Sequence, residues 1–152
     1  MQKILDSACL LGEKVRYDGK ILATTLSLLS LWRSQNRLVS ICPEVSGGLS
    51  VPREPAEQQE NGEIITISNV NVSAAFQQGA KQALQLCLQY NIQFAILKES
   101  SPSCGSTLIY DGTFSGKKIT GQGCTTALLR KHNIEVFSEL TIEKLAKRLA
   151  HN

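Results

Sequence analysis

The sequence predicts an α/β fold: a mainly parallel sheet covered by helices on both faces. Short apolar runs bounded by polar or turn residues occur at 3–8, 37–42, 93–98 and 134–137 and read as buried strands. Between and after them lie amphipathic stretches at 22–34, 73–90, 124–132 and 141–150 that read as helices. Strands alternating with helices of this length build parallel sheets with right-handed crossovers. At 152 residues the chain has the size of one ordinary domain, and we expect a single α/β domain over 1–152.

Each element carries its own signal. The first helix places Leu22, Leu26, Leu29 and Trp32 at helical spacing. The second, with Ser73 as its expected cap, sets Phe76, Ala80, Leu84, Cys87 and Leu88 on one face. The last is expected to start from a Thr141 cap, with Glu143 close behind. His132 reads as the C-terminal cap of the third helix. Residues 43–70 hold Pro43, Gly47, Gly48, Pro52, Pro55 and Asn61-Gly62, and are expected to form a long loop with a small hairpin. Residues 99–121, rich in Ser and Gly, read as a second irregular stretch.

Composition excludes several classes. Apolar residues at 42% and charged residues at 19% describe a globular chain rather than a disordered one. A net charge of +3 with no Lys/Arg cluster argues against a nucleic-acid polymer as partner. No apolar run approaches the ~20 residues of a membrane span, and the first residues lack a signal-peptide core, so a cytoplasmic location is expected. Five cysteines in such a compartment point to metal or redox chemistry rather than disulfides, with small buried hydrophobes as the plainer alternative.

Cysteine placement is the informative feature. Cys9 and Cys42 fall at the ends of the first two strands and Cys104 in the loop after the third. Ligands of open parallel sheets bind beyond the carboxyl ends of the strands, so these three thiols are expected to share one mouth. Cys87, mid-helix, reads as core. Cys124 reads as a bystander at a helix start, where the helix N-terminus is expected to lower its thiol pKa. Glu44 stands two residues beyond Cys42, as a proton-handling group or as a partner of Arg53. Ser101 and Ser103 flank Pro102 as hydroxyl donors or turn formers. Lys98 and Glu99 read as a solvated strand end, and Asp18 and Asp111 as turn residues before glycine. Gly121-Gln122-Gly123 before a helix is a weak anion signature. Neither His132 nor His151 has the spacing of a zinc ligand.

The chain resembles the family long catalogued as domain of unknown function 523, which includes the thiouracil desulfidases. The resemblance runs through Ser7-Ala8-Cys9-Leu10-Leu11-Gly12, Arg16-Tyr17-Asp18-Gly19, Ile41-Cys42-Pro43-Glu44-Val45-Ser46-Gly47-Gly48-Leu49 and Leu97-Lys98-Glu99-Ser100-Ser101-Pro102-Ser103-Cys104-Gly105-Ser106. It continues in Tyr110-Asp111-Gly112-Thr113-Phe114-Ser115-Gly116 and Gly121-Gln122-Gly123. It implies a three-layer Rossmann-like sandwich and a [4Fe–4S] cluster on Cys9, Cys42 and Cys104. The fourth iron would capture the sulfur of a small thiolated base such as 2-thiouracil, with Glu44 handling protons and Ser101 or Ser103 assisting. The chain departs from the family at Val15, where many relatives carry a cysteine, at Asp6 in the first strand, and at Asn71-Val72-Ser73. Two alternatives stand beside this reading: a zinc-dependent hydrolase on the same three cysteines, and a non-catalytic cluster-binding module. A metal-free Cys104 nucleophile ranks below both for want of a base.

Overall fold

A computed structural model describes residues 1–8, 10, 19–50 and 53–150, the backbone alone at 19–24. Four parallel strands form the main sheet: β1 (Ile4–Ser7), β2 (Leu38–Ile41), β5 (Phe94–Leu97) and β8 (Glu135–Ser138). Their order is β2-β1-β5-β8. The chain leaves β1 to one side and returns through β5 on the other, so the topological switch point lies between β1 and β5.

Helices cover both faces. Because successive side chains of a strand point to opposite faces, Leu5, Ala95, Leu97 and Val136 pack on one side, under α3 (Ser73–Tyr90) and α4 (Cys124–Lys131). Ile4, Phe94 and Ile96 pack on the other with Leu29 and Trp32 of α1 (Gly19–Ser34) and Ile142 and Leu145 of α5 (Ile142–Ala150). The three-layer α/β expectation holds, and strands and helices begin within about three residues of their predicted positions.

The loops hold more structure than predicted. A single turn, α2 (Pro43–Ser46), follows directly on Cys42. The expected hairpin is β3 (Ala56–Gln58) with β4 (Ile64–Thr66), turning through Asn61-Gly62 with Gly62 at φ +87°. The stretch expected to be irregular contains a second hairpin, β6 (Leu108–Tyr110) with β7 (Lys118–Thr120). Asp111 shapes its turn, accepting from the Thr113 N–H and hydroxyl, and Glu57 fastens it to β3 by accepting the Gly112 and Phe114 N–H groups.

Some local expectations fail for clear reasons. Ser73 is the first helical residue rather than the cap; its own N–H donates to Asn71 Oδ1, and its hydroxyl accepts the Ile64 N–H. Thr141 precedes α5 as expected, but its hydroxyl accepts the Ser138 N–H behind it. Leu88 is 66% exposed because the core-facing arc of α3 runs through Phe76, Ala80, Ala83 and Cys87. Cys87 is core, as expected, and burial pushes its thiol up to about 11. His132 ends α4.

Candidate functional site

The carboxyl ends of the parallel strands β1, β2 and β5 lie at one end of the sheet, and Cys42, Glu44 and the Ser101–Cys104 loop follow from there. The β1–β2 ladder runs to its last rung, where the Ala8 N–H donates to Ile41 O at 2.9 Å. The next residue on the β2 side is Cys42, half-buried, which leads into α2. Cys9 lies outside the described residues, as do Val15, Asp18 and His151.

Two glycines set the Cys42 segment against α3. A Cβ at Gly79 would stand 1.8 Å from Pro43 O, and one at Gly47 would stand 1.9 Å from Ala75 O. The two backbones therefore touch twice, and neither position has room for a side chain. That contact fixes Glu44, whose Oε1 accepts from Arg53 Nε at 3.0 Å. The pair borders a cavity of about 320 Å³ with an apolar wall that includes Leu49, Val70, Val72 and Phe76. The partner reading of Glu44 is thus present in the structure, and it leaves the carboxylate at the cavity's edge.

The Cys104 loop is held by α4. The first N–H groups of a helix need acceptors, and here the loop supplies them. Gly123 N donates to Gly105 O at 2.8 Å, Cys124 N to Pro102 O at 2.9 Å and Thr125 N to Ser103 O at 2.8 Å. Thr126 Oγ1 donates to Cys104 O at 2.9 Å. A Cβ at Gly123 would lie 2.3 Å from Ser103 C, so glycine is required for the approach. The donors that would have made Gly121-Gln122-Gly123 an anion site are spent on this loop.

Cys104 is 4% exposed. Its Sγ takes a hydrogen bond from Ser7 Oγ at 3.5 Å, and Ser7 Oγ itself accepts the Lys98 N–H at 3.0 Å. Ser7 thus bridges β1 and β5 at the switch point, directly beside the thiol. Burial pushes that thiol up to about 11, the Glu44 carboxylate adds to the rise, and the Ser7, Ser103 and Ser101 hydroxyls pull against it. Ser101 is half-buried and accepts the Cys104 N–H at 2.7 Å. Ser103 is fully buried and shares a 2.8 Å hydrogen bond with Thr125.

Two expectations are corrected. The Cys124 thiol is raised, not lowered, to about 11: burial outweighs the helix end, and Cys104 nearby adds to the rise. Glu99 is no solvated strand end. It is 5% exposed and bonded to the far side of the Cys104 loop. Lys98 forms an ion pair with the buried Glu139 at 2.8 Å. A Glu placed two residues beyond a strand and ahead of a Ser/Thr-rich loop was the available signal for this role.

A parallel α/β fold with a soft thiol buried at its switch point and a second thiol leaving the neighbouring strand defines a class: a Rossmann-like protein with cysteines at the carboxyl ends of its strands, although among the described residues no three potential metal ligands are yet gathered in one cluster. The comparisons with known proteins are specific. The model of the 2-thiouracil desulfurase family matches residues 4–141, and the chain belongs to that family. It is 43% identical over 145 residues to the uncharacterized protein YbbK of Bacillus subtilis (strain 168), covering 90% of this chain and 95% of that one. It is also similar to a solved structure of the [4Fe-4S]-dependent thiouracil desulfidase TudS, with 43% identity, a TM-score of 0.89 and full coverage of both chains.

Proposed function

We propose that this chain is a [4Fe–4S]-dependent desulfidase that hydrolyses the C=S bond of a small thiolated base of the 2-thiouracil kind, and that it works as one α/β domain over 1–152. The observation that carries the reading is the buried Cys104 thiol at the switch point, with Cys42 leaving the adjacent strand, in a chain 43% identical along its whole length to a [4Fe-4S]-dependent thiouracil desulfidase. Among the described residues no helix is long and apolar enough to cross a membrane, in keeping with a cytoplasmic enzyme.

The residues fit such a cofactor. Thiolates are the ligands of iron–sulfur clusters. A thiol buried at about 11 carries its proton until a cation takes the proton's place, and hydroxyl donors such as Ser7 then share the charge. We assign Cys42 and Cys104 as ligands, with Cys9, two residues beyond the end of β1, as the third. When bound, the cluster supplies an open iron, a soft Lewis acid suited to a thione sulfur.

The chain's own groups do the rest. Glu44, held by Arg53 at the cavity edge, takes the proton from the water that attacks the ring carbon. Ser101 spends a lone pair on the Cys104 N–H, which leaves its own proton to donate to the negative charge that develops on the base. Ser103, buried against Thr125, holds the loop rather than meeting substrate. The apolar wall containing Phe76 and Val72 receives the ring and excludes bulk water. Water replaces sulfur at carbon and sulfide leaves, with no net electron transfer.

Anaerobic reconstitution followed by iron, zinc and sulfide analysis and a sulfide-release assay on 2-thiouracil tests this. Iron with labile sulfide, and sulfide release lost in Cys104→Ala, is the expected result. Zinc in place of iron, or a loaded protein that releases no sulfide from any thiobase, refutes it.

A further inference from the structure

We infer that Glu99 is the positioning residue that holds the Cys104 loop in the shape its ligand role requires; the ligand role rests on the function proposed above. Glu99 lies two residues beyond the end of β5 and is 5% exposed. Its Oε1 accepts four backbone N–H groups: Ser100 at 3.1 Å, Ser106 at 2.7 Å, Thr107 at 3.1 Å and Leu108 at 3.2 Å. Its Oε2 accepts the hydroxyls of Ser106 at 2.5 Å and Thr107 at 3.2 Å. Donors from both ends of the loop thus converge on one carboxylate, and Ser101, Ser103 and Cys104 lie on the arc between them.

The carboxylate stands on a fixed base. The Glu99 N–H donates to Glu139 Oε1 at 2.8 Å, and Glu139, 2% exposed, also pairs with Lys98. Ser100, between Glu99 and Ser101, sits at φ +73° in the left-handed region. A non-glycine residue persists there only when its surroundings over-determine it, and the Glu99 bond to its N–H is part of what does so. No hydrogen bond joins Glu99 to Cys104 or Ser101 among the described residues, and its two oxygens are filled by donors. It acts through the loop, not on the substrate.

The test uses the full chain in metal-free form, so its outcome does not depend on whether the protein carries a cluster. Iodoacetamide alkylation is followed cysteine by cysteine by peptide mass spectrometry. Cys104, buried in the loop, reports local opening, and Cys87, 1% exposed in α3, reports opening of the core. Glu99→Ala should raise the Cys104 rate by about tenfold or more with Cys87 unchanged. Glu99→Gln keeps one carbonyl oxygen for the four N–H groups and should fall between Ala and wild type. In reconstituted protein, iron loss to a chelator should accelerate in the same order. Should Glu99→Ala not fold, the Gln variant carries the comparison alone. An unchanged Cys104 rate, or Cys104 and Cys87 rising together, would overturn the assignment. Wild-type protein that takes up no cluster would instead refute the proposed function, while the alkylation result would still decide the role of Glu99.

Discussion

Replacing Gly123 by alanine puts the packing argument at risk in its sign as well as its size. Gly123 has φ −70° and ψ 162°, a conformation any residue adopts. On backbone grounds alone, alanine should stabilise the protein by about 0.4–1 kcal/mol, because it narrows the unfolded ensemble. The structure opposes this. The new Cβ would meet Ser103 C at 2.3 Å, Ser103 O at 2.4 Å and Cys104 N at 2.6 Å. All three are backbone atoms, so no side chain can rotate away. Relief requires the loop to retreat from α4 by about 1 Å, an overpacking strain of about 1–3 kcal/mol. It also stretches the bonds from Gly123, Cys124 and Thr125 N–H to the loop carbonyls, each with a net worth of about 0.5–1.5 kcal/mol.

If one of those bonds is lost, the net destabilisation is about 0.5–4 kcal/mol. A central value of about 2 kcal/mol lowers the Tm of a chain this size by roughly 4–8 °C. Thermal unfolding of metal-free protein, followed by circular dichroism, measures it. The same retreat carries Cys104 and Ser101 with it, and a misplacement of about 1 Å lowers turnover on the order of 10²-fold. A Gly123→Ala protein with an equal or higher Tm, normal iron content and normal sulfide release would show that the approach of α4 to the loop is not what places the thiol.

Three further outcomes follow from the same geometry. Gly79→Ala drives a Cβ onto Pro43 O and should weaken urea stability by about 1–3 kcal/mol while lowering iron content, because Cys42 and Glu44 ride on that contact; unchanged iron loading would contradict this. Asp6 is fully buried, with Oδ1 on Ser40 and Oδ2 without a hydrogen-bond partner among the described residues, and burial raises its pKa above the ordinary 3.8. Its contribution is greatest at acid pH and is lost as pH rises through the folded value, so Asp6→Asn should be more stable than wild type at neutral pH, the gain vanishing towards pH 3.8; urea titrations at the two pH values measure it. Glu99 shifts the opposite way. Burial would raise it, but the bonds from Ser106, Thr107, Leu108 and Ser100 outweigh burial and hold it at about 2 against the ordinary 4.5. Its hold on the loop is present above the ordinary value and lost as pH falls through the folded one, so hydrogen exchange of the 100–108 segment should speed up less steeply towards acid pH in Glu99→Gln than in wild type.

What the sequence revealed and what it hid divide along a physical line. The four main-sheet strands and the helices were legible because apolar periodicity is local and survives without tertiary information. The strand-end positions of Cys42 and Cys104 were legible for the same reason, since once a parallel sheet is inferred its carboxyl ends are known. The second hairpin was not, because β6 and β7 are three residues each and β7 is exposed along its length, leaving no alternation to read. Glu99 was misread because a carboxylate beside a lysine at a strand end usually meets water; only the fold wraps the Ser106–Leu108 segment back onto it. The Cys124 thiol was misread because the helix N-terminus was weighed without the burial that α3 imposes; its Sγ reaches Phe76 O of that helix at 3.5 Å.

The site is framed by main chain on main chain, and that choice has a chemical reason. Side-chain packing tolerates repacking: a methyl can shift and a rotamer can change with little loss of stability. If Cys42 and Cys104 hold the cluster as proposed, they have no such latitude, since all the ligands of one rigid cube answer to one set of metal positions. Backbone contacts at Gly47, Gly79 and Gly123 leave only one approach distance, set by carbonyl and amide atoms that cannot rotate away. The Cys42 segment is fixed to α3, the Cys104 loop to α4, and α3 packs along α4 more extensively than any other pair of elements here. Two cysteines separated by sixty-two residues are thereby referred to one rigid helical pair, while Ser7 ties Cys104 to the strand that leads to Cys9. On this account the glycines are as much a part of the metal site as the sulfurs, and changing one methyl's worth of space in the frame should weaken the site more than removing the surface charge of Arg148, which pairs with Glu135 at the exposed far end of β8.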